Sequence, residues 1–185
     1  MDAFSGIVAW LLVVFLQTCP TDHLADGQVY TYLLDSKARR VSISVEAFDA
    51  KAKSATLIAQ LEPVIWDSQP RTHSAELSWG SGRKITAFKI EGNEVLETPL
   101  VLPRPGLIMS TDPNDLFAPS KTAPTTIPKS AKVEGAKSEV KPKAARYEHD
   151  KDYAELGTDP ALGLVSITLS QWGEISNVQL VKIKR

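Results

Sequence analysis

The chain begins with a nearly unbroken apolar run from Ala3 to Leu16, which is followed by Gln17-Thr18-Cys19-Pro20. Its apolar residues fall on every side of a helical wheel, so the pattern is not that of an amphipathic surface helix. We expect this leader, residues 1–19, to be an uncleaved membrane anchor, a cleaved signal peptide, or a segment buried in protein. In the interpretation that we favour, it lies outside the chain's own β-rich body. The predicted membrane- or subunit-anchoring side chains are Ile7, Trp10, Leu11, Val14 and Phe15.

After Gly27 the pattern changes to period two, which is typical of half-buried strands. The clearest example is 41–47, where Val, Ile and Ala alternate with Ser and Glu; for 48–61 a helix is an alternative to a strand. Further strands are predicted at 28–34, 55–61, 74–79, 84–90, 100–102 and 107–109, with a hairpin turn at Gly92-Asn93. Short strands separated by turn residues predict a mainly β fold, a small antiparallel β-sandwich or barrel over 27–117.

The composition changes again over 118–146, which holds four prolines, six lysines and almost no large apolar side chains. Such a segment buries too little surface to offset the entropy of ordering it, so it predicts an extended, basic Pro/Lys-rich linker. Two alternatives are a basic strap lying on an acidic partner or on phosphates, and a helix over 131–145.

The last segment, 147–185, is predicted to be a C-terminal β-hairpin extension. Strands over 164–169 and 175–183 flank the turn Gln171-Trp172-Gly173-Glu174. A lone hairpin is marginally stable in water, so this one is expected to dock on the body, on another copy or on a different protein. The predicted docking side chains are Val165, Ile167, Leu169, Trp172, Val178 and Leu180.

An apolar leader, a Pro/Lys-rich tether and a terminal strand pair are similar in outline to TonB-type energy transducers. The tail segments Gly163-Leu164-Val165-Ser166-Ile167 and Gly173–Leu180 resemble the hairpin of that family's C-terminal domain. The resemblance covers about 20 residues. It implies a transducer that spans the periplasm, and it assigns no role to any individual residue.

The candidate chemistry is sparse. Cys19 is the single cysteine, so neither an intrachain disulfide nor a thiolate cluster is possible within the chain. The three histidines, His23, His73 and His149, do not have metal-ligand spacing. Gly80-Ser81-Gly82-Arg83-Lys84 lacks the spacing of a phosphate-binding loop. We therefore predict no catalytic, cofactor-binding or metal-binding residues, and with a net charge of −1 we expect no nucleic acid partner and no small-molecule substrate.

These features predict a non-enzymatic structural or assembly subunit of an envelope or virion complex, docking on neighbouring protein subunits through its leader and its hairpin. It would be membrane-anchored on the extracytoplasmic side, or part of a virion. The alternative is a secreted or lipid-anchored β-sandwich module that binds a sugar or a protein. Leu16-Gln17-Thr18-Cys19 resembles a lipoprotein box, which is the basis for the lipid anchor.

Overall fold

The structure, a computed structural model, describes residues 3–35, 39–69, 71–103 and 105–185. Met1 and Asp2 of the predicted leader, and Arg104 between the predicted strands 100–102 and 107–109, lie outside the described residues. The elements are α1 (Ala3–Thr18), a 3-10 turn (Thr21–His23), β1 (Val29–Leu34), β2 (Arg39–Asp49), β3 (Ser54–Leu61), β4 (Arg71–Ser78), β5 (Arg83–Ile90), β6 (Asn93–Glu94), β7 (Leu100–Leu102), β8 (Leu107–Ile108), β9 (Leu116–Pro119), β10 (Lys143–His149), β11 (Asp152–Asp159), β12 (Gly163–Gln171) and β13 (Glu174–Lys184).

The strands form a single antiparallel sheet, in the order β6-β5-β4-β3-β2-β1-β13-β12-β11-β10-β9-β8, with β7 paired to β5. The fold is therefore mainly β, as predicted, and it is a large open sheet rather than two packed layers. The first and last strands of the chain, β1 and β13, pair in the middle of that order, with Tyr30 opposite Ile183. This pairing joins an N-terminal half of the sheet to a C-terminal half.

Helix α1 is the core of the molecule. The residues from Val8 to Leu16 are all buried, and α1 contacts β3, β4 and β5 in one half of the sheet and β8 and β12 in the other. A helix covered on every side by strands of both halves requires the sheet to curl around it. Phe15 packs edge-on against Tyr30 and Tyr32 of β1, with ring centroids 4.9 and 6.3 Å apart.

This position of α1 differs from the expectation that the leader lies outside the chain's own β body. Burying one large apolar side chain stabilises a fold by about 1.5–3 kcal/mol, and most side chains on the inner face of the curled sheet are apolar. The physical requirement that the sequence imposed on the leader, complete burial, is therefore met inside the chain. Among the described residues, no helix combines the length and the apolar character needed to cross a bilayer.

The end of α1 has a local cause. Pro20 has no N–H group to continue the helix, and the last helical bond runs from Cys19 N to Phe15 O at 2.8 Å. The free carbonyls of the final turn are satisfied by Arg83 of β5, whose Nη1 donates to the oxygens of Leu16 and Gln17 at 3.2 Å each. This cation at the helix C-terminus also interacts favourably with the helix dipole.

Residues 120–142, which we call the strap, were predicted to be an extended linker but pack on the sheet. Ala131, Val133 and Val140 of the strap are buried, and Ala131 and Val140 form a β-bridge with each other. The composition concealed this packing because only a few apolar side chains are needed when a preformed sheet surface receives them. The alternative helix over 131–145 does not form among the described residues.

The tail begins its regular structure earlier than expected. The predicted strands over 164–169 and 175–183 lie within β12 and β13, but β10 and β11 precede them. Neither of these two strands has an alternating apolar pattern. The helix considered for 48–61 is absent, because most of that range forms the end of β2 and all of β3.

Candidate functional site

One end of the curled sheet gathers several connections between strands. Because neighbouring strands are antiparallel, the connections β3–β4, β5–β6, β8–β9, β10–β11 and β12–β13 all leave the sheet at the end where α1 begins. Connections usually carry binding residues on a scaffold of regular elements. This end of the sheet is therefore the candidate functional site.

The first turn of α1 is held at this end by a buried histidine. His73 of β4 is 1% exposed; its Nε2–H donates to Ser5 O at 3.0 Å, and its Nδ1 accepts from the Glu91 N–H at 3.3 Å. The Ser5 hydroxyl in turn donates to Glu91 Oε1 at 2.9 Å. This network ties α1 to the β5–β6 turn. It gives His73 a structural role where the sequence offered no interpretation of it.

Beside this network, α1 and the sheet enclose a crevice of about 470 Å³. Its inner wall is Trp10, which is 8% exposed and whose indole N–H donates to the Met109 sulfur at 3.2 Å. That bond fixes the walls from α1 and from the β8–β9 connection relative to each other. The crevice is lined by Gly6, Ile7, Ala9, Trp10, Val13, Ile90, Met109, Ser110, Thr111, Asp115, Leu169, Gln171, Trp172, Glu174 and Ser176.

The β12–β13 hairpin carries the most exposed apolar side chains of the tail, and one of them, Trp172, lines the crevice. Trp172, in the β12–β13 turn, is 87% exposed, and Ile175 of β13 is 60% exposed. The Trp172 N–H donates to Asp152 Oδ1 at 3.1 Å, so the β12–β13 turn is attached to the β10–β11 hairpin. The indole is therefore displayed on two connected hairpins rather than on a free loop.

Acidic side chains surround Trp172. Asp115 and Glu174 line the same crevice, Asp152 bonds the Trp172 backbone, and Asp150 sits in the adjoining β10–β11 turn. Lys151 is the one base in those two hairpin turns. We call this surface the acidic tip; its residues are Asp115, Asp150, Asp152, Trp172, Glu174 and Ile175.

The strap gives the outer face of the C-terminal half the opposite charge. Its lysines, together with the first residue of β10, are all exposed: Lys121, Lys129, Lys132, Lys137, Lys141 and Lys143. The strap carries two acids, and one of them, Glu134, pairs with Lys182 of β13 at 3.1 Å. The strap is therefore a basic surface at neutral pH.

A buried carboxylate fastens the start of the strap. Glu155 of β11 is fully buried and accepts bonds from the backbone N–H groups of Thr125 and Thr126 at 3.0 and 2.8 Å, from both hydroxyls, and from Arg146 Nη1 at 3.0 Å. Burial by itself raises the pKa of Glu155, but the bonds from Thr126, Thr125 and Arg146 outweigh it, so the pKa lies below its usual value. The charge on Glu155 is thus stabilised by the strap that it holds.

The middle of the strap adds to the sheet itself. Glu134 N donates to Val181 O, and Ile183 N donates to Glu134 O, both at 2.8 Å, which forms a parallel bridge to the part of β13 that β12 does not cover. Gly135 follows at φ +86°, and a Cβ placed there would lie 2.0 Å from Ile183 O. Only glycine fits this approach. The strap is therefore fixed at both Glu155 and β13.

The predicted anchoring residues lie in the core rather than on a surface. Leu11, Val14 and Phe15 are fully buried against the chain's own strands, while Ile7 and Trp10 line the crevice. Five of the six predicted docking residues are also covered, and Trp172 alone is exposed. The covered five are Val165, Ile167, Leu169, Val178 and Leu180. Leu169 reaches the crevice, so the two predicted sets meet there through Ile7, Trp10, Leu169 and Trp172.

Sequence reasoning missed several residues of this end. Met109 and Asp115 belong to a connection with no recognisable motif, and Gly6 is an inconspicuous glycine in an apolar run. Ile175 was placed in a strand without being identified as exposed. A weak signal did exist, because Ile175 directly follows a Gly-Glu turn, where strand residues are often uncovered.

The conventional reactive groups are not assembled at this site. Among the described residues, no three His, Cys, Asp or Glu side chains are placed to hold a metal ion. Cys19 is buried at the other end of α1, and burial raises the pKa of its thiol to about 11, so the thiol is protonated at neutral pH. No family model, curated protein or solved structure matches the chain.

Proposed function

We propose that this chain is a non-enzymatic structural subunit that assembles head to tail, with the acidic tip of one copy docking on the basic strap of the next. The observation that carries the proposal is the 87% exposure of Trp172 within a ring of acids, on a molecule whose opposite charge lies on a different face. This proposal keeps the assembly role that we predicted from the sequence. It assigns docking to the β12–β13 turn instead of to the buried residues of that hairpin.

The apolar part of the acidic tip supports a protein partner. Trp172 and Ile175 both expose large apolar side chains on one hairpin, and tryptophan is enriched among residues that dominate binding energy at protein interfaces. A Trp ring packs well on proline rings and attracts lysine ammonium groups through its π face. The strap supplies both, with exposed Pro128 directly before exposed Lys129.

Charge supports a second copy as that partner. The acidic tip carries four acids, and the two hairpin turns at this end contain one base, Lys151. The strap, by contrast, exposes lysines along most of its length. Complementary potentials guide docking and suppress wrong orientations, because like charges brought together cost several kcal/mol. A contact between two different surfaces of the same chain does not consume both surfaces of either partner, so it produces rings or open filaments rather than closed dimers.

The strap is suited to this role because it is fixed before docking. Its attachment at Glu155 and its bridge to Val181 and Ile183 hold the backbone in one path. A preordered surface loses less conformational entropy when it binds than a flexible linker of the same sequence. Docking on a free linker would lack this advantage.

Sedimentation equilibrium across protein concentration and salt tests the proposal. We expect the average mass of the natural chain to rise with concentration at low ionic strength and to fall when salt screens the charges. One double variant reverses the charge of each surface. The tip variant is Asp150→Lys with Glu174→Lys, and the strap variant is Lys129→Glu with Lys132→Glu. Each alone should remain monomeric.

The decisive measurement mixes the two reversed variants. Two contacts are then complementary: the reversed tip of one variant with the reversed strap of the other, and the natural acidic tip of the strap variant with the natural basic strap of the tip variant. The mixture should therefore form assemblies in which the two variants alternate in equal numbers, although neither variant associates alone. Lys51→Glu with Lys89→Glu is the matched control, since both lysines are exposed and lie outside the strap. A natural chain that stays monomeric at high micromolar concentration and low salt, or a mixture that fails to associate, would refute the proposal.

A further inference from the structure

The crevice at the start of α1 has the properties of a small-molecule site. Ligand pockets usually enclose 300–1,000 Å³ and are mainly apolar with a few polar groups at defined positions, and a crevice of about 470 Å³ lies in that range. Its floor is formed by Ile7, Ala9, Val13 and Met109, and the Trp10–Met109 bond holds the walls in place. A ligand would therefore enter a site that already exists.

The lining defines the chemistry of the ligand. Apolar side chains occupy the interior, and the polar ones are hydroxyls, an amide and two carboxylates, Asp115 and Glu174. No Lys, Arg or His is found among the described lining residues, so an anionic head group would meet negative charge without a counter-ion. We propose that the crevice binds an amphiphile with an apolar chain and a cationic amine head, the chain lying against Trp10 and the amine near Asp115 and Glu174.

A substitution at Gly6 tests this proposal directly. It lies in the first turns of α1 and lines the crevice, and a Cβ added to it would meet no atom within 4 Å. A side chain at this position therefore begins in open space on the wall of the crevice, and a larger one takes up volume that the ligand needs. Replacing a helical glycine also favours the helix. Loss of binding in such a variant can thus be separated from loss of folding.

The experiment is calorimetric titration of the full chain with dodecylamine and dodecanoate below their critical micelle concentrations, and with dodecanol below its solubility limit. We expect the amine to bind most tightly, the alcohol more weakly and the carboxylate at least about tenfold more weakly than the amine. Gly6→Leu should weaken amine binding at least about tenfold, with Gly6→Ala in between, while the Tm of both is no lower than that of the natural chain. Asp115→Asn should reduce the preference for the amine over the alcohol.

Two results would overturn the inference: Gly6→Leu binding dodecylamine as tightly as the natural chain, or dodecanoate binding as tightly as the amine. The strap variant Lys129→Glu with Lys132→Glu keeps the lining intact and should bind the amine unchanged as a monomer. This variant separates the two proposals, because assembly can fail while the crevice still binds the amine. Conversely, a chain that assembles but does not bind the amine would contradict the crevice proposal alone.

Discussion

Gln17 near the end of α1 completes the edge of the sheet at β8. Its side-chain amide donates from Nε2 to Ile108 O at 2.6 Å and accepts at Oε1 from Ile108 N at 2.8 Å. A side chain thereby supplies both bonds that a neighbouring strand would have made. Ile108 is fully buried, so these two backbone groups would otherwise be unsatisfied in an apolar environment.

We predict that Gln17→Met destabilises the protein by about 2–4 kcal/mol. A buried donor or acceptor left without its partner costs about 1–3 kcal/mol, and methionine removes partners from two such groups while keeping a similar length. Two such groups together would cost about 2–6 kcal/mol. We expect the lower part of this range because Gln17 is itself only half-buried, so water can partly reach the two groups.

The assay is urea unfolding followed by tryptophan fluorescence, with the free energy of unfolding extrapolated linearly to water. Gln60→Met is the matched control, because Gln60 is exposed and a surface change of this kind usually shifts stability by less than about 0.5 kcal/mol. Hydrogen exchange should also show faster exchange of the Ile108 amide in Gln17→Met. Equal unfolding free energies for Gln17→Met and Gln60→Met would refute this account of the β8 edge.

Three further predictions concern buried groups around α1. The Tyr30 hydroxyl is buried with no hydrogen-bond partner among the described residues, whereas the Tyr32 hydroxyl donates to Leu164 O at 2.8 Å. In urea unfolding, Tyr30→Phe should therefore leave the free energy of unfolding unchanged or raise it, and Tyr32→Phe should lower it by about 1 kcal/mol. Burial raises the pKa of Cys19 from 9.0 to about 11 and that of Tyr30 from 10.0 to about 12. The unfolded chain therefore loses these protons first, and the free energy of unfolding should fall by about 1.4 kcal/mol per pH unit for each group, from pH 9 to 11 for Cys19 and from pH 10 to 12 for Tyr30. In Cys19→Ala the Cys19 contribution should be absent, so the urea midpoints should begin to fall at about pH 10 rather than pH 9. Labelling of Cys19 by a thiol reagent at neutral pH should be slow and should accelerate with urea, and rapid labelling of the native protein would contradict its burial.

The sequence predicted the N-terminal half of the sheet best, because its pattern is local. In β2, Val41, Ile43 and Val45 alternate with polar residues and are the residues that face α1. The leader pattern likewise required burial on every side. It could not name the covering surface, because a helix that is apolar all round fits the interior of its own fold, another subunit or lipid equally well.

The C-terminal half was harder to predict for a physical reason. In β11, Ala154, Leu156 and Gly157 are buried along with Glu155, since the strap covers the outer face and removes the contrast between the two faces. The strap is in turn ordered by Thr125 and Thr126 bonding a carboxylate that is distant in sequence. Pairings of this kind depend on the assembled sheet, which a window of neighbouring residues does not contain.

The candidate site was predictable only in fragments. Trp10 and Trp172 were both selected, but for anchoring and for docking separately, and nothing in either segment indicated that they would line one crevice. The charges of the strap were visible in the composition. The acidic tip was not, because its acids come from three separate connections that meet only at the end of the sheet.

The pairing of β1 with β13 in the middle of the sheet also bears on how the chain reaches its native state during synthesis. β13 leaves the ribosome after every other strand of the sheet, so α1 and the N-terminal strands are synthesised well before the strand that joins the two halves around the helix. Contacts between residues so distant in sequence form slowly, and apolar surface that stays exposed meanwhile favours aggregation. We expect nascent chains of this protein to depend on a chaperone that shields apolar segments until the final strand emerges.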